Sequence, residues 1–153
     1  MGLAMSAYGV LIHASVVTVE PPWSQHRAVT AVQTAVDQSG YNPLRWAIEK
    51  PRVYGNRGEA AQKKDVEALG NLAKALRGEL VPLGAKVKLW EPHAWKGNVP
   101  KAVHHRRARK LLAPAELALL DQDFGDGVLD VWDAVALELF ATGRCGRGGT
   151  RRR

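Results

Sequence analysis

The chain has 153 residues, enough for one globular domain and too few for two ordinary ones. Hydrophobic residues make up 46% and charged residues 24%, a balance that excludes disorder for most of the chain. The net charge of +7 and pI of about 9.9 point to a polyanionic partner, most simply nucleic acid.

Residues 1–19 are apolar but carry neither a basic leader nor a small-residue cleavage site, so no signal peptide is expected. No uncharged apolar run reaches the ~18 residues of a membrane span. A lone cysteine, Cys145, excludes an internal disulfide and a cysteine-rich zinc site. A reducing, cytoplasmic setting follows as the expectation.

Residues 7–13 (AYGVLIH) and 14–19 (ASVVTV) have strand composition and are expected to pair antiparallel through a tight connection near His13 and Ala14. Pro21 and Pro22 end the second run. In residues 26–38, Val29, Val32 and Val36 repeat at helical spacing, and Gly40 closes that helix. Residues 44–49 form a short strand ending in Glu49. Residues 50–60, with Pro51, Gly55, Asn56 and Gly58, predict a mobile loop. A helix follows over 61–78, with Val66, Leu69, Ala73 and Leu76 inward and Gly78 as its stop.

Residues 86–90 (KVKLW) make another strand, followed by a loop over 91–99 and a basic helix after Pro100. A short helix over 114–120, an acidic turn over 121–127 and a last helix over 128–142, stopped by Gly143, complete the ordered chain. One α/β domain over 1–143 is expected, with antiparallel strands first and parallel strands later, then a disordered basic tail over 144–153.

Three features carry chemistry. Glu49 ends an apolar strand, the place where α/β proteins build their sites; a surface acid at a strand end is the plainer alternative. Asp130 and Asp133 sit at i and i+3 of the last helix, on one side and within reach of one ion. Asp126, one turn earlier, extends the stripe. A solvated acidic stripe favoured by the helix dipole explains the same pattern. Third, Pro92 to Glu116 holds Lys96, Lys101, Arg106, Arg107, Arg109 and Lys110 with no acid between, alongside His93, His104, His105 and Trp95. Such a block suits phosphate contacts with an aromatic platform at Trp95; a solvated helix face is the alternative. Adjacent His104 and His105 point apart on a helix and form no metal motif. The P-loop, the nucleophile elbow and the zinc-protease motif are absent.

The segments AIEKPRVYGNRG around Glu49, LWEPHAWKGNVPKAVHHRRARKLL, and the closing DVWDAVALELFATGR resemble RuvC-type Holliday-junction resolvases, above all their compact phage and prophage forms. The resemblance spans roughly residues 7–143. It implies an RNase H-like fold, a mixed sheet flanked by helices. It implies Mg²⁺-dependent cutting of branched DNA, with Mn²⁺ as a substitute, at carboxylates on two strands and the last helix. Carried onto this chain, those acids are Glu49, Asp130 and Asp133, serving as metal ligands and catalytic groups. The family's first-strand aspartate would fall just ahead of Met1, beside Gly2. The resemblance therefore implies a truncated start, an incomplete first strand and weakened activity. It further implies DNA contacts from Arg52, Tyr54, Arg57, Trp95, Lys96, Lys101, Arg106, Arg107 and Lys110, with Tyr54 as a base-stacking wedge. A homodimer, no membrane association, and a bacterial or phage-like origin also follow. The rival is an RNase H-like module that binds branched DNA without cutting it.

Overall fold

The computed structural model describes residues 1–19, 22, 24–50, 60–97 and 99–145, and for 60–65 the backbone alone. Two compact units divide the chain: Met1–Thr18 with the chain from Trp95 onward, and Val19–Ala94.

In the first unit a two-residue turn, Tyr8-Gly9, joins β1 (Gly2–Ala7) to β2 (Val10–Val16) as an antiparallel hairpin. Both turn residues have positive φ, 52° and 79°, which the strand twist demands of so short a turn. The sequence had suggested a turn near His13 and Ala14. Instead 10–16 is one strand, and its partner is GLAMSA. That segment is poor in β-formers, and a tyrosine with positive φ is uncommon, so neither signalled the hairpin. Register runs Gly2↔Val16 to Met5↔His13 and then slips to Ser6↔Leu11, a bulge at Ile12. Met1 and Val17 exchange backbone bonds of 2.7 and 3.1 Å that extend the ladder.

Helix α6 (Val128–Ala141) lies across this hairpin, with Val131 and Val135 wholly buried and Ala136, Leu137 and Leu139 beside them. Gly2 meets it so closely that a Cβ there would strike the carbonyl of Asp130. Gly127 likewise faces the Val16 side chain. Helices α4 (Lys101–Arg109) and α5 (Pro114–Ala118) pack on α6 and β2 respectively. Between them and the hairpin sits Glu116, 2% exposed. Its carboxylate accepts from the N–H of Leu11 (2.6 Å) and of Ala113 (2.7 Å) and from both Nη atoms of Arg144. The Arg144 hydrogen bond, followed by the two backbone donors, outweighs burial and holds the Glu116 pKa down at about 2. Arg144 also donates to the carbonyls of Gly9 (2.9 Å) and Leu111 (2.5 Å). The tail was expected to be disordered from residue 144, but this residue is fixed by a buried partner; 146–153 lie outside the described residues.

The second unit pairs β3 (Arg45–Glu49) with β4 (Lys86–Trp90) in parallel, in register Arg45↔Lys86 to Glu49↔Trp90. Parallel strands need a long crossover, supplied by α2 (Ala60–Leu80). Past β4, where the sequence suggests a loop over 91–99, one helical turn forms instead, α3 (Pro92–Trp95). Helix α1 (Gln25–Ser39) starts at Ser24, whose hydroxyl accepts from the Arg27 N–H, and ends at Gly40 with φ 73°. Its Ala28, Val29, Val32 and Val36 are buried, and it packs on α2. The buried face of α2 is Leu72, Ala73, Leu76 and Leu80; Leu69, expected inward, is exposed. The helix also passes through Gly78, its expected stop, because burying Leu80 offsets the ~1 kcal/mol that a glycine costs. Antiparallel and parallel pairing are both present, as expected, but among the described residues each forms a two-stranded sheet within its own unit rather than one mixed sheet.

Candidate functional site

On α6 the apolar positions face the hairpin, which leaves Asp130 and Asp133 on a different stripe. Asp130 is the more exposed of the two, its side chain 54% accessible against 22% for Asp133. The Met1 amino group stands 3.6 Å from Asp130. Asp133 is met on both oxygens: Lys101 Nζ lies 3.0 Å from Oδ2, and His105 Nε2 lies 2.7 Å from Oδ1. Lys101 and His105 are one turn apart on α4, so a single face of that helix receives this carboxylate. The imidazole of His105 also lies over Trp132, with centroids 6.2 Å apart.

His104 takes the opposite direction, as adjacent helical residues must. It is 4% exposed and meets Trp95 edge to face at 4.9 Å. Burial, aided by the positive neighbours His105, Lys96 and Arg107 and opposed by Asp133, lowers its pKa. The imidazole is therefore held neutral. Its Nε2 and the Trp95 indole N–H have no hydrogen-bond partner among the described residues. Trp95, expected to offer a platform to a base, is 5% exposed and belongs to the core. A large aromatic beside basic residues reads alike in sequence whether it faces solvent or seals a helix junction. Lys96 Nζ lies 5.0 Å from the Trp95 ring centroid. Lys101, expected to bind phosphate, is held by Asp133. Arg106, Arg107, Arg109 and Lys110 are exposed at the end of α4, where cations suit the helix dipole.

In the second unit Glu49 is half-buried at the carboxyl end of β3, opposite Trp90. Beyond it the Lys50 N–H donates to the Trp90 carbonyl at 2.7 Å, and Lys50 Nζ lies 3.6 Å from Glu91. His93 is 3.3 Å from the same carboxylate. Arg52, Tyr54 and Arg57 lie outside the described residues.

The arrangement thus joins two aspartates on α6 to a basic face of α4. Two carboxylates are hard oxygen donors of the kind Mg²⁺ prefers. Among the described residues, however, no group of three His, Cys, Asp or Glu side chains comes together. The residues that sequence reading missed are His105, as a partner of Asp133, and the pair Glu116–Arg144. The i, i+4 spacing of Lys101 and His105 was the available signal.

Among solved structures, the RuvC of Thermus thermophilus is similar to this chain, with a TM-score of 0.52 and 20% identity over 90% of this chain and 81% of that one. The fold is that of RuvC. This is the architecture that the resemblance in sequence implied. No protein-family model matches the chain, and no curated protein does. Among the described residues no helix is long and apolar enough to cross a membrane.

Proposed function

We propose that the protein acts on branched DNA as a divalent-metal-dependent endonuclease of the crossover-junction-resolving kind. The observation that carries this reading is the pair Asp130 and Asp133 on the helix of a RuvC-like fold, beside the basic face of α4. Asp130 and Asp133 would hold Mg²⁺, or Mn²⁺ in its place, and the resemblance in sequence names Glu49 as a further ligand. A bound ion of this kind activates a water and neutralises charge developing on a phosphodiester.

The chain's own residues have definite roles in this reading. His105 donates to one oxygen of Asp133 and fixes its direction. Lys101 neutralises the other oxygen, and its ammonium is free to turn to a phosphate once a metal takes its place. Arg106, Arg107 and Lys110, with Lys96, hold the DNA backbone, and these contacts carry no sequence information. Arg52, Tyr54 and Arg57 follow Glu49 in the chain and extend the DNA contact.

One observation favours a second reading, a module that binds branched DNA without cutting. Asp133 already stands beside a protein cation, and no third ligand joins the two aspartates among the described residues. Nicking of a four-way junction in Mg²⁺ separates the two. The nuclease reading expects nicking that Asp133→Asn lowers at least 100-fold, the scale on which transition-state stabilisation operates. Tight junction binding with no nicking by either protein establishes the binding module instead.

A further inference from the structure

Tyr8 is the most exposed large hydrophobic side chain of the described residues, with a relative accessibility of 107%. Among the described residues no hydrogen bond or ring contact holds it there, and its backbone φ of 52° lies in the left-handed region that a residue with a Cβ enters at a cost. It is the one described residue other than glycine to do so. Asparagine followed by glycine is the favoured pair for such a turn. A tyrosine here gains nothing for the fold from its ring and disfavours its own backbone. Strain of that kind is informative where the surroundings enforce it.

The surroundings do enforce it. The guanidinium of Arg144, anchored on buried Glu116, donates to the Gly9 carbonyl at 2.9 Å, and Glu116 accepts from the N–H of Leu11 at 2.6 Å. The turn glycine and the strand that follows it are thus fastened to one ion pair with a buried carboxylate, and the ring is carried on a tip held from that side. The same guanidinium donates to the Leu111 carbonyl at 2.5 Å, just past the end of α4. The tip therefore stands one side chain away from the exposed cluster Arg106, Arg107, Arg109 and Lys110. No acid intervenes in sequence between Pro92 and Glu116, and Glu116 itself is buried and paired.

An exposed aromatic on a held turn beside a cationic helix end matches what an unstacked nucleic-acid base with its flanking phosphates requires. An apolar protein partner would have no use for the arginines. We propose that Tyr8 is a stacking wedge that receives an unpaired base where DNA strands part, with the α4 terminus holding the adjoining phosphates. This rests on the DNA-binding part of the proposed function, and not on cleavage.

The test uses the full chain and a four-way junction carrying 2-aminopurine at the branch, read by fluorescence and by affinity in a salt series. Wild type and Tyr8→Phe should change the probe's fluorescence on binding. Tyr8→Asn should not, and its affinity should fall roughly 5- to 150-fold, the ~1–3 kcal/mol of one base–aromatic stack. The slope of affinity against salt should stay the same, because no phosphate contact is removed. Tyr8→Asn should also raise the Tm by about 2–4 °C as the turn loses its strain. Wild-type affinity and an unchanged signal in Tyr8→Asn would overturn the wedge while leaving DNA binding intact. Failure of the wild type itself to bind the junction would overturn the DNA reading and the wedge with it. A lowered Tm in Tyr8→Asn would make the ring part of the fold and overturn the proposal. So would a wild-type dimer, seen by sedimentation, that Tyr8→Asn dissolves.

Discussion

Glu116 and Asp133 are carboxylates of the same unit, each met by basic side chains, and they differ in what surrounds the pair. Glu116 is 2% exposed, accepts from two backbone N–H groups and lies under a guanidinium that bonds two further carbonyls. Every lone pair has a fixed donor, and the carboxylate ties three segments together: the hairpin, the start of α5 and the end of α6. Asp133 is met by an ammonium whose side chain is 44% exposed and by one imidazole. Its partners are two side chains of another helix, one of them exposed, and can be exchanged for another cation. A buried, fully bonded acid serves the fold, whereas a half-exposed acid with replaceable partners is available for chemistry.

The largest effect that would break this comparison lies at Glu116. Glu116→Gln leaves Arg144 charged and without its counterion beside a buried, neutral side chain. It should cost about 3–5 kcal/mol, a large part of a domain's stability. Urea unfolding at pH 7 measures it. Because the Glu116 pKa is held at about 2, well below its ordinary 4.5, the unfolded chain takes up a proton there before the folded one. Stability from this group is complete above pH ~4.5 and is lost as pH falls from there towards 2. The Gln variant should lose that acid dependence. A variant as stable as wild type at pH 7 would show that the ion pair does not hold the hairpin.

Periodicity made α1, β3, β4 and α6 legible, together with the stripe that Asp130 and Asp133 share, because each is a local property of a few consecutive residues. What could not be read depends on which elements meet. Lys101 and His105 become partners of Asp133 only when α4 packs on α6. Glu116 and Arg144 look like an ordinary surface acid and the first residue of a disordered tail until the hairpin closes over them. Trp95 stands among lysines and histidines in sequence, yet its ring seals against His104. Tyr8 had no signal either, since the turn places a residue of strand composition where asparagine or glycine is usual.

An intermediate effect sharpens the contrast from the side of His104, which packs behind the Asp133 pair. Burial, together with the charges of His105, Lys96 and Arg107 and against that of Asp133, lowers its pKa below the usual 6.5. The unfolded chain therefore binds a proton as pH falls through 6.5 while the folded chain does not yet do so. Stability should drop between pH 7 and 5, by at most roughly 1.4 kcal/mol per pH unit from this group. His104→Phe keeps an aromatic ring of similar breadth and removes the titration. It should flatten that part of the profile. The remaining slope belongs partly to His13, whose pKa burial also lowers. An identical slope in the variant would assign the whole dependence elsewhere.

The smallest effect on stability should come from Lys101, and its size separates the two kinds of carboxylate most directly. The Lys101–Asp133 pair is partly exposed, so Lys101→Met should change folding stability by less than ~1 kcal/mol. Its consequence lies in what Asp133 can then accept. An ammonium 3.0 Å from a carboxylate oxygen occupies the place of any competing cation. Displacing it costs ~1 kcal/mol in a well-solvated setting, which is about fivefold in affinity. Calorimetric titration with Mn²⁺ should therefore give tighter binding to Lys101→Met than to wild type, and Asp133→Asn should abolish the difference. Equal Mn²⁺ affinity in Lys101→Met and wild type would mean that the ammonium does not compete for this carboxylate. Asp133 would then stand with Glu116, as an acid committed to holding two helices together.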